Sequence, residues 1–291
     1  MNSPQRAFGN QVPAMPGPFD KISDYHIVAR PQFGRWVSGT LIIVILGMIG
    51  YAFANGKIEW EYFWRFMTVP TILAGVANTV LLAILAMIVG VVLGTIFAIM
   101  RSSDNPIMRS VAFGYIWLFR GTPVLLQLML WYNLALVFPT VGIPGIWSMR
   151  MIDLMSPFWA ALLGLGLNQG AYTAEVIRAG MLSVDAGQYE AAKTIGMTRL
   201  KALRRIVLPQ AMRVVIPPLG NEFILLVKTT SLASVIQFSE VMYNAGTIYY
   251  ANARVVELLF VAGAWYLILV SILTLFQIPL ERHFAKGSSP R

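Results

Sequence analysis

Apolar residues fall along this chain in long unbroken runs, not in the strict alternation of half-buried strands or the sustained heptads of coiled coils. Six runs stand out, at about 36–56, 72–100, 111–138, 157–182, 208–236 and 256–280. Each reaches the roughly 20 residues that a helix needs to cross a bilayer core. Inside lipid every backbone polar group must be satisfied within the segment, so runs of this kind predict helices. The pattern therefore predicts an all-α integral membrane fold with six transmembrane helices. The first run begins only after Trp36, behind a polar tail over residues 1–35 that is expected to be poorly ordered. It is read as a retained span, not as a cleaved signal segment. Residues 281–291 form a second polar tail.

The polar positions between the runs alternate in charge. Arg6, Lys21, Arg30 and Arg35 precede the first run, and Arg101 and Arg109 lie between the second and third. Lys193, Arg199, Lys201, Arg204, Arg205 and Arg213 crowd the stretch leading into the fifth, and Arg282, Lys286 and Arg291 follow the last. On the other loops the cations are offset: Lys57 and Arg65 by Glu59 and Glu61, Arg150 by Asp153, Arg254 by Glu240 and Glu257. Basic loops stay in the cytoplasm, so both termini are expected there. Trp60, Trp64, Trp147 and Trp159 fall where an interfacial aromatic belt belongs.

Composition agrees with the bilayer reading: 57% of the 291 residues are hydrophobic and 12% charged, where soluble domains carry about a quarter. The net charge of +9 flanks spans instead of forming a soluble basic patch, which argues for topology and against a nucleic-acid partner. The absence of cysteine rules out disulfides and thiolate metal sites. Gly50–Lys57 glances at a phosphate-binding loop, but five residues separate its glycines and Ile58 stands where Ser or Thr should be. His26 and His283 lie in terminal segments, and no HExxH or GxSxG pattern occurs. Neither catalysis, nor a cofactor, nor a metal site is expected.

The stretch EAAKTIGMTRLKALRRIVLPQAMR, Glu190–Arg213, is the longest water-compatible segment between runs. Glu190, Ala191, Ala192 and Lys193 favour helix, with Ser183 or Asp185 available as cap. Gly196 suits a helix end, so two short helices meeting at an angle are expected. Leu200, Leu203 and Val207 then follow helical spacing among basic residues. On amphipathicity alone the segment could simply rest on anionic headgroups.

The spacing is more specific. Glu190-Ala191-Ala192, Gly196, then Ile206, Leu208 and Pro209 reproduce the pattern EAA---G---------I-LP. This resembles the cytoplasmic loop of permease subunits of bacterial ABC importers. Phe119–Gln127 (FRGTPVLLQ), Ala171–Gly180 (AYTAEVIRAG), Leu208–Arg213 (LPQAMR) and Gly220–Leu232 (GNEFILLVKTTSL) are similar to the polar amino acid branch (histidine, glutamine, glutamate, arginine, opines). The resemblance covers roughly 72–280 and implies a type I importer transmembrane domain with a coupling loop at 184–209. Five spans are common in that branch, so 36–56 reads as an added N-terminal helix. Thr229 stands where the branch often has an acidic residue, which weakens transfer of substrate detail. The resemblance also implies separate ATPase subunits, an extracytoplasmic substrate-binding protein and a second, identical or related permease subunit. The implied location is the bacterial cytoplasmic membrane.

Ionisable groups inside spans usually face a cavity, a partner or an interface. The candidates are Arg120, Glu175, Glu222 and Lys228, with Asn168, Gln169 and Asn221 beside them. Asn168, Tyr172 and Glu175 share a helical face that can hold a substrate ammonium; equally, Glu175 can simply pair with Arg178. Arg120 can meet a carboxylate or reach headgroups. Pro217-Pro218 should kink or break the fifth span, and Gly90 and Gly94 form a close-packing pair on the second. The expected function is ATP-driven import of a polar amino acid by alternating access. An opine or sulfur-containing derivative as cargo, an ion-coupled secondary transporter and a membrane scaffold are the alternatives.

Overall fold

The computed structural model describes residues 33–143 and 145–285. Most of the expected N-terminal tail, and residues 286–291, lie outside the described residues, as do the side chains of Arg199 and Leu200. The chain divides into two compact units, Met1–Lys57 and Ile58–Arg291. In the first, helix α1 (Phe33–Ala54) has 22 residues, none of them buried, and is long and apolar enough to cross a membrane.

Among its described residues the second unit is helical apart from one hairpin and the connecting turns. Its order is α2 (Trp60–Met67), α3 (Pro70–Arg101), α4 (Pro106–Gly121), α5 (Val124–Tyr132), α6 (Leu134–Val137), β1 (Thr140–Ile143), β2 (Trp147–Arg150) and α7 (Met151–Leu154). Then come α8 (Pro157–Leu182), α9 (Ala186–Thr194), α10 (Arg199–Ala202), α11 (Leu208–Thr229), α12 (Val241–Asn252) and α13 (Val255–Ala285). A π-helical turn, Leu203–Val207, joins α10 to α11, and a 3₁₀ segment, Thr230–Ile236, follows α11. Helices α3, α4 and α8 all open on proline, whose missing N–H would be unpaired there in any case.

Five of the six expected runs coincide with α1, α3, α8, α11 with its 3₁₀ extension, and α13. The run at 111–138 is not one straight helix. Between α4 and α5 the chain bends by 100°. The cause is Gly121-Thr122-Pro123: the proline drives Thr122 into extended backbone at φ −115°, ψ 145° and so stops α4. By length and apolarity alone, four helices among the described residues qualify as spans, or five with the bent pair. Helix α8 has 26 residues, roughly 39 Å, but Asn168, Gln169, Thr173, Glu175 and Arg178 dilute its apolarity.

Helix α8 packs against α3 at very short range. A methyl group added at Gly90 would come within 2.6 Å of Gln169 Cγ, and one at Gly94 within 2.5 Å of Thr173 Cγ2. The expected pair on α3 is matched by a second one on α8: a Cβ at Gly166 would meet Val89 at 2.8 Å, and one at Gly170 would meet Leu93 of α3 at 3.0 Å as well as the Tyr115 hydroxyl of α4 at 2.5 Å. Small residues replace the hydrophobic driving force that is missing between helices in lipid, because they let backbones approach. Leu82, Ala86, Leu128 and Leu165 fill the core beside this crossing.

Two polar knots hold the remaining helices. Fully buried Glu240 accepts hydrogen bonds from the N–H groups of Met242 (2.9 Å) and Tyr243 (2.6 Å), which caps α12, and also accepts from the Tyr266 hydroxyl of α13. Asn244 of α12 donates to the Thr71 carbonyl of α3 at 2.8 Å. The helical assignment of α11 runs through Pro217 and Pro218 without a break, contrary to the sharpest form of the expectation. Buried Gln277 donates to the Pro217 carbonyl at 2.8 Å and lies where a Cβ on Gly220 would be, so α13 closes over the proline pair.

Gly94→Leu should therefore destabilise the protein by about 1–3 kcal/mol through overpacking, whereas Gly114→Leu, with open space around it, should not. Thermal unfolding midpoints in detergent will separate the two, and an equal midpoint for both variants would contradict the crossing described.

Candidate functional site

The α4–α5 bend leaves helix-end carbonyls inside an apolar region, where unsatisfied backbone is costly. Gln127, buried on α5, repairs this by donating to the carbonyls of Phe119 (3.0 Å) and Thr122 (3.2 Å) and to Thr122 Oγ1 (2.8 Å). Asn168 of α8 also donates to the Phe119 carbonyl at 2.7 Å. Because α5 turns away, a cavity of about 420 Å³ opens between the bend, α8 and α11. That volume lies in the range of roughly 300–1,000 Å³ usual for small-molecule sites.

Arg120, Asn168, Tyr172 and Glu222 line this cavity together, with Thr122, Gln169 and Thr229. The Arg120 guanidinium stands 5.0 Å from the centroid of the Tyr172 ring, a cation–π distance that holds the charge at the cavity. From the opposite side Gln169 donates to Glu222 at 3.4 Å and to Thr173 at 3.3 Å. The site thus presents one cation, one anion and several neutral donors and acceptors, an arrangement that suits a zwitterion.

Two expected path residues are elsewhere. Glu175 pairs with Arg178 at 2.6 Å on α8, the intrahelical alternative, and does not line the cavity. Asn221 is turned toward α13, where it donates to Glu281 at 3.2 Å. A helix advances 100° per residue, so neighbours in sequence such as Asn221 and Glu222 point to different surroundings. Lys228 is exposed and does not line the cavity either. Sequence reasoning gave Gln127 and Thr122 no role although both lie in FRGTPVLLQ; the signal was Gly-Thr-Pro interrupting an apolar run.

The loop after α8 is ordered by its own chemistry. Asp185 caps α9 and accepts from the Gly187 N–H at 2.7 Å. At the other end Met197 N–H bonds to the Ala192 carbonyl and Gly196 N–H to the Lys193 carbonyl, both at 3.0 Å, while Gly196 sits at φ +71°. This pair of bonds is a Schellman stop, which requires a left-handed residue at the glycine position. Ala192 is buried beneath it, and Glu190 and Ala191 are exposed.

The expected second short helix is instead the opening of a long one, because α10, the π-turn and α11 run on without a gap. The wide turn lies over residues where a proline ring at 209 would crowd the carbonyl four back. Val207, Val184 and Ala211 form a small core with Leu203, and Gln210 donates to Gln188 of α9 at 3.4 Å. Ile206 is half-buried, while Leu208 and Pro209 are exposed.

The described residues thus combine long apolar helices, a charged cavity among them and a folded basic loop. Residues 90–284 match the family described as binding-protein-dependent transport system inner membrane component, and the chain belongs to that family. It is 42% identical over 259 residues to an arginine transport system permease protein of Corynebacterium glutamicum, covering 88% of this chain and 82% of the relative. A nopaline transport system permease protein of Agrobacterium fabrum is 41% identical over 206 residues, 70% of this chain and 84% of the relative. An L-cystine transport system permease protein of Bacillus subtilis is 40% identical over 230 residues, 77% and 91% of the two chains. A crystal structure of an amino acid ABC transporter with histidines matches with a TM-score of 0.68 at 33% identity, over 78% of this chain and all of that one. The fold is the type I importer transmembrane domain. A match over 88% of 291 residues leaves at most about 35 unaligned, so the similarity to the arginine permease begins by about residue 36 and takes in α1.

Asp185→Ala should remove the α9 cap at a cost of about 1 kcal/mol. Hydrogen exchange should report it as about fivefold faster exchange confined to the first turn of α9; unchanged exchange there would contradict the capping role.

Proposed function

We propose that this chain is the membrane-spanning permease subunit of an ATP-driven bacterial importer of polar amino acids. The observation that carries the reading is the cavity in which Arg120 and Glu222 stand among neutral polar groups. Arg120 suits the α-carboxylate of the cargo and Glu222 its ammonium, while Asn168, Tyr172 and Gln169 complete the shell. Charge-assisted hydrogen bonds of this kind are about twice as strong as neutral ones, so they can select a zwitterion over an uncharged solute. Asn221 supports the path only indirectly, by tying α11 to α13, and Glu175 is engaged by Arg178 within α8.

In this reading the loop at 184–209 transmits force. Glu190, Ala191, Ala192, Gly196, Ile206, Leu208 and Pro209 form an element that docks on a separate ATPase subunit. The Schellman stop at Gly196 fixes the angle between α9 and the helix that continues into α11. Since α11 also carries Glu222, a push on α9 reaches the cavity along one continuous helical path, through the π-turn and the proline pair. ATP is hydrolysed by that separate subunit, an extracytoplasmic binding protein delivers the cargo, and a second permease copy or relative completes the path. Both termini and the docking loop face the cytoplasm, consistent with cations on the opposite loops being neutralised: Arg150 by Asp153 at 2.7 Å, and Arg254 by Glu59. The named cargoes of the relatives differ, so the same machine carrying an opine or a sulfur-containing amino acid is the second reading.

Reconstitution with the ATPase and binding protein tests this. Uptake should require ATP, fall at least tenfold in Glu222→Gln and in Arg120→Gln, and change little in Glu175→Gln. In Gly196→Val stimulation of the ATPase by loaded binding protein should be lost, because a β-branched residue resists φ +71°. Uptake without ATP would instead indicate ion coupling, and full uptake in both cavity variants would remove the cavity from the path.

A further inference from the structure

The hairpin between α6 and α7 has no part in the cavity or the docking loop, yet its register sorts its residues completely. Val141 pairs with Met149 and Ile143 with Trp147, while Thr140 pairs with Arg150 and Gly142 with Ser148. Cross-strand partners share a face and successive residues alternate faces. One face is therefore Val141, Ile143, Trp147 and Met149, and the other Thr140, Gly142, Ser148 and Arg150. A two-stranded sheet is at best marginally stable alone and normally lays its apolar face on a core. Here that face is open: Val141 is 37% exposed, Ile143 60%, Trp147 53% and Met149 39%, and Ile146 near the turn is 81% exposed.

We propose that this apolar face is seated in the headgroup–acyl boundary of the outer leaflet, so that the hairpin is a lipid anchor. The assignment of the leaflet rests on the orientation given above. Three observations favour lipid as the occupant. Exposed apolar residues are not confined to the hairpin: the elements on either side of it in sequence carry Leu136 and Val137 of α6, Ile152 of α7, Leu130 of α5 and Trp159 of α8. Of these elements, α5 and α8 belong to apolar runs expected to cross the bilayer. Trp147 and Trp159 have the amphipathic ring expected at an interface. On the polar face Arg150 is held bidentate by Asp153, at 2.7 and 3.0 Å, which neutralises its charge near the membrane. A partner that docks and departs is the poorer occupant, because reversible interfaces are no more apolar than ordinary protein surface.

The anchor is tied to the transport machinery. Met151 and Met155, directly after the hairpin, are buried in the same core as Leu128 of α5 and Leu165 of α8, and Leu165 lines the cavity. Lipid grip on the hairpin thereby steadies the outer ends of α5 and α8 against movement of α11.

The chain contains no cysteine, so single-cysteine variants report without background. Ser148→Cys should react with a membrane-impermeant maleimide added outside intact cells; reaction only from the cytoplasmic side would overturn the orientation itself. In nanodiscs of phosphatidylethanolamine and phosphatidylglycerol, an environment-sensitive fluorophore on Ile143→Cys or Val141→Cys should be quenched by lipids nitroxide-labelled high on the acyl chain. Quenching should be at least twofold stronger than for the same fluorophore on Ser148→Cys. Equal, weak quenching at all three positions would overturn the anchor. So would disulfide formation between Ile143→Cys residues of two copies, which would assign the face to a second copy. A probe that leaves water only when the binding protein is added would likewise overturn it.

Discussion

The architecture rests on the close crossing of α3 and α8. In lipid no water is released when two helices meet, so association depends on how near the backbones can come. Gly90 and Gly94 on α3, and Gly166 and Gly170 on α8, remove the side chains that would keep them apart. The crossing also sets the chemistry. Gln169 is buried at the contact with Gly90, and from there its amide reaches Glu222 on α11. Without the crossing, the carboxylate would have no fixed partner and the cavity no fixed wall.

A second constraint, the need to satisfy every backbone group at membrane depth, accounts for most of the remaining polar residues. Gln127 and Asn168 answer the carbonyls freed by Pro123, Gln277 covers the Pro217 carbonyl, and Glu240 caps α12 from within the core. At each of these three places, a break, a proline pair and a helix start, a side chain from a neighbouring turn or helix meets the backbone groups. The break, at Gly121-Thr122-Pro123, opens the cavity. Asn168, which helps to repair the backbone at that bend, also lines the cavity, where Arg120 and Glu222 add charge.

How much of this was legible in the sequence depended on the range of the interaction. Helix positions were legible, because apolar runs and proline starts are local; α8 falls at 157–182 as expected. The end of α9 at Gly196 was legible for the same reason, since a glycine stop is written in a few residues. The 100° bend was obscured because Leu, Val and Trp continue across Pro123 and mask the interruption. Grouping Asn168, Tyr172 and Glu175 on one face was geometrically sound, but a local ion pair captured Glu175, and no sequence pattern weighs Arg178 against a cavity. The hairpin escaped notice because four-residue strands carry too little periodicity to stand out between long apolar runs.

In the proposed function, transport follows from the connection between two distant features, the folded basic loop and the charged cavity. They are joined by one helix, since α11 continues from the loop's π-turn to Glu222 and Thr229. The central claim is that this cavity opens to one side of the membrane and then to the other as nucleotide is bound and hydrolysed. The most direct measurement places a single cysteine at Thr229, on the cavity wall, and follows its reaction with a small water-soluble thiol reagent from each side of the membrane, with and without ATP. The account predicts that reactivity switches sides with nucleotide state. A cysteine that reacts from the same side in both states, or from neither, would contradict it.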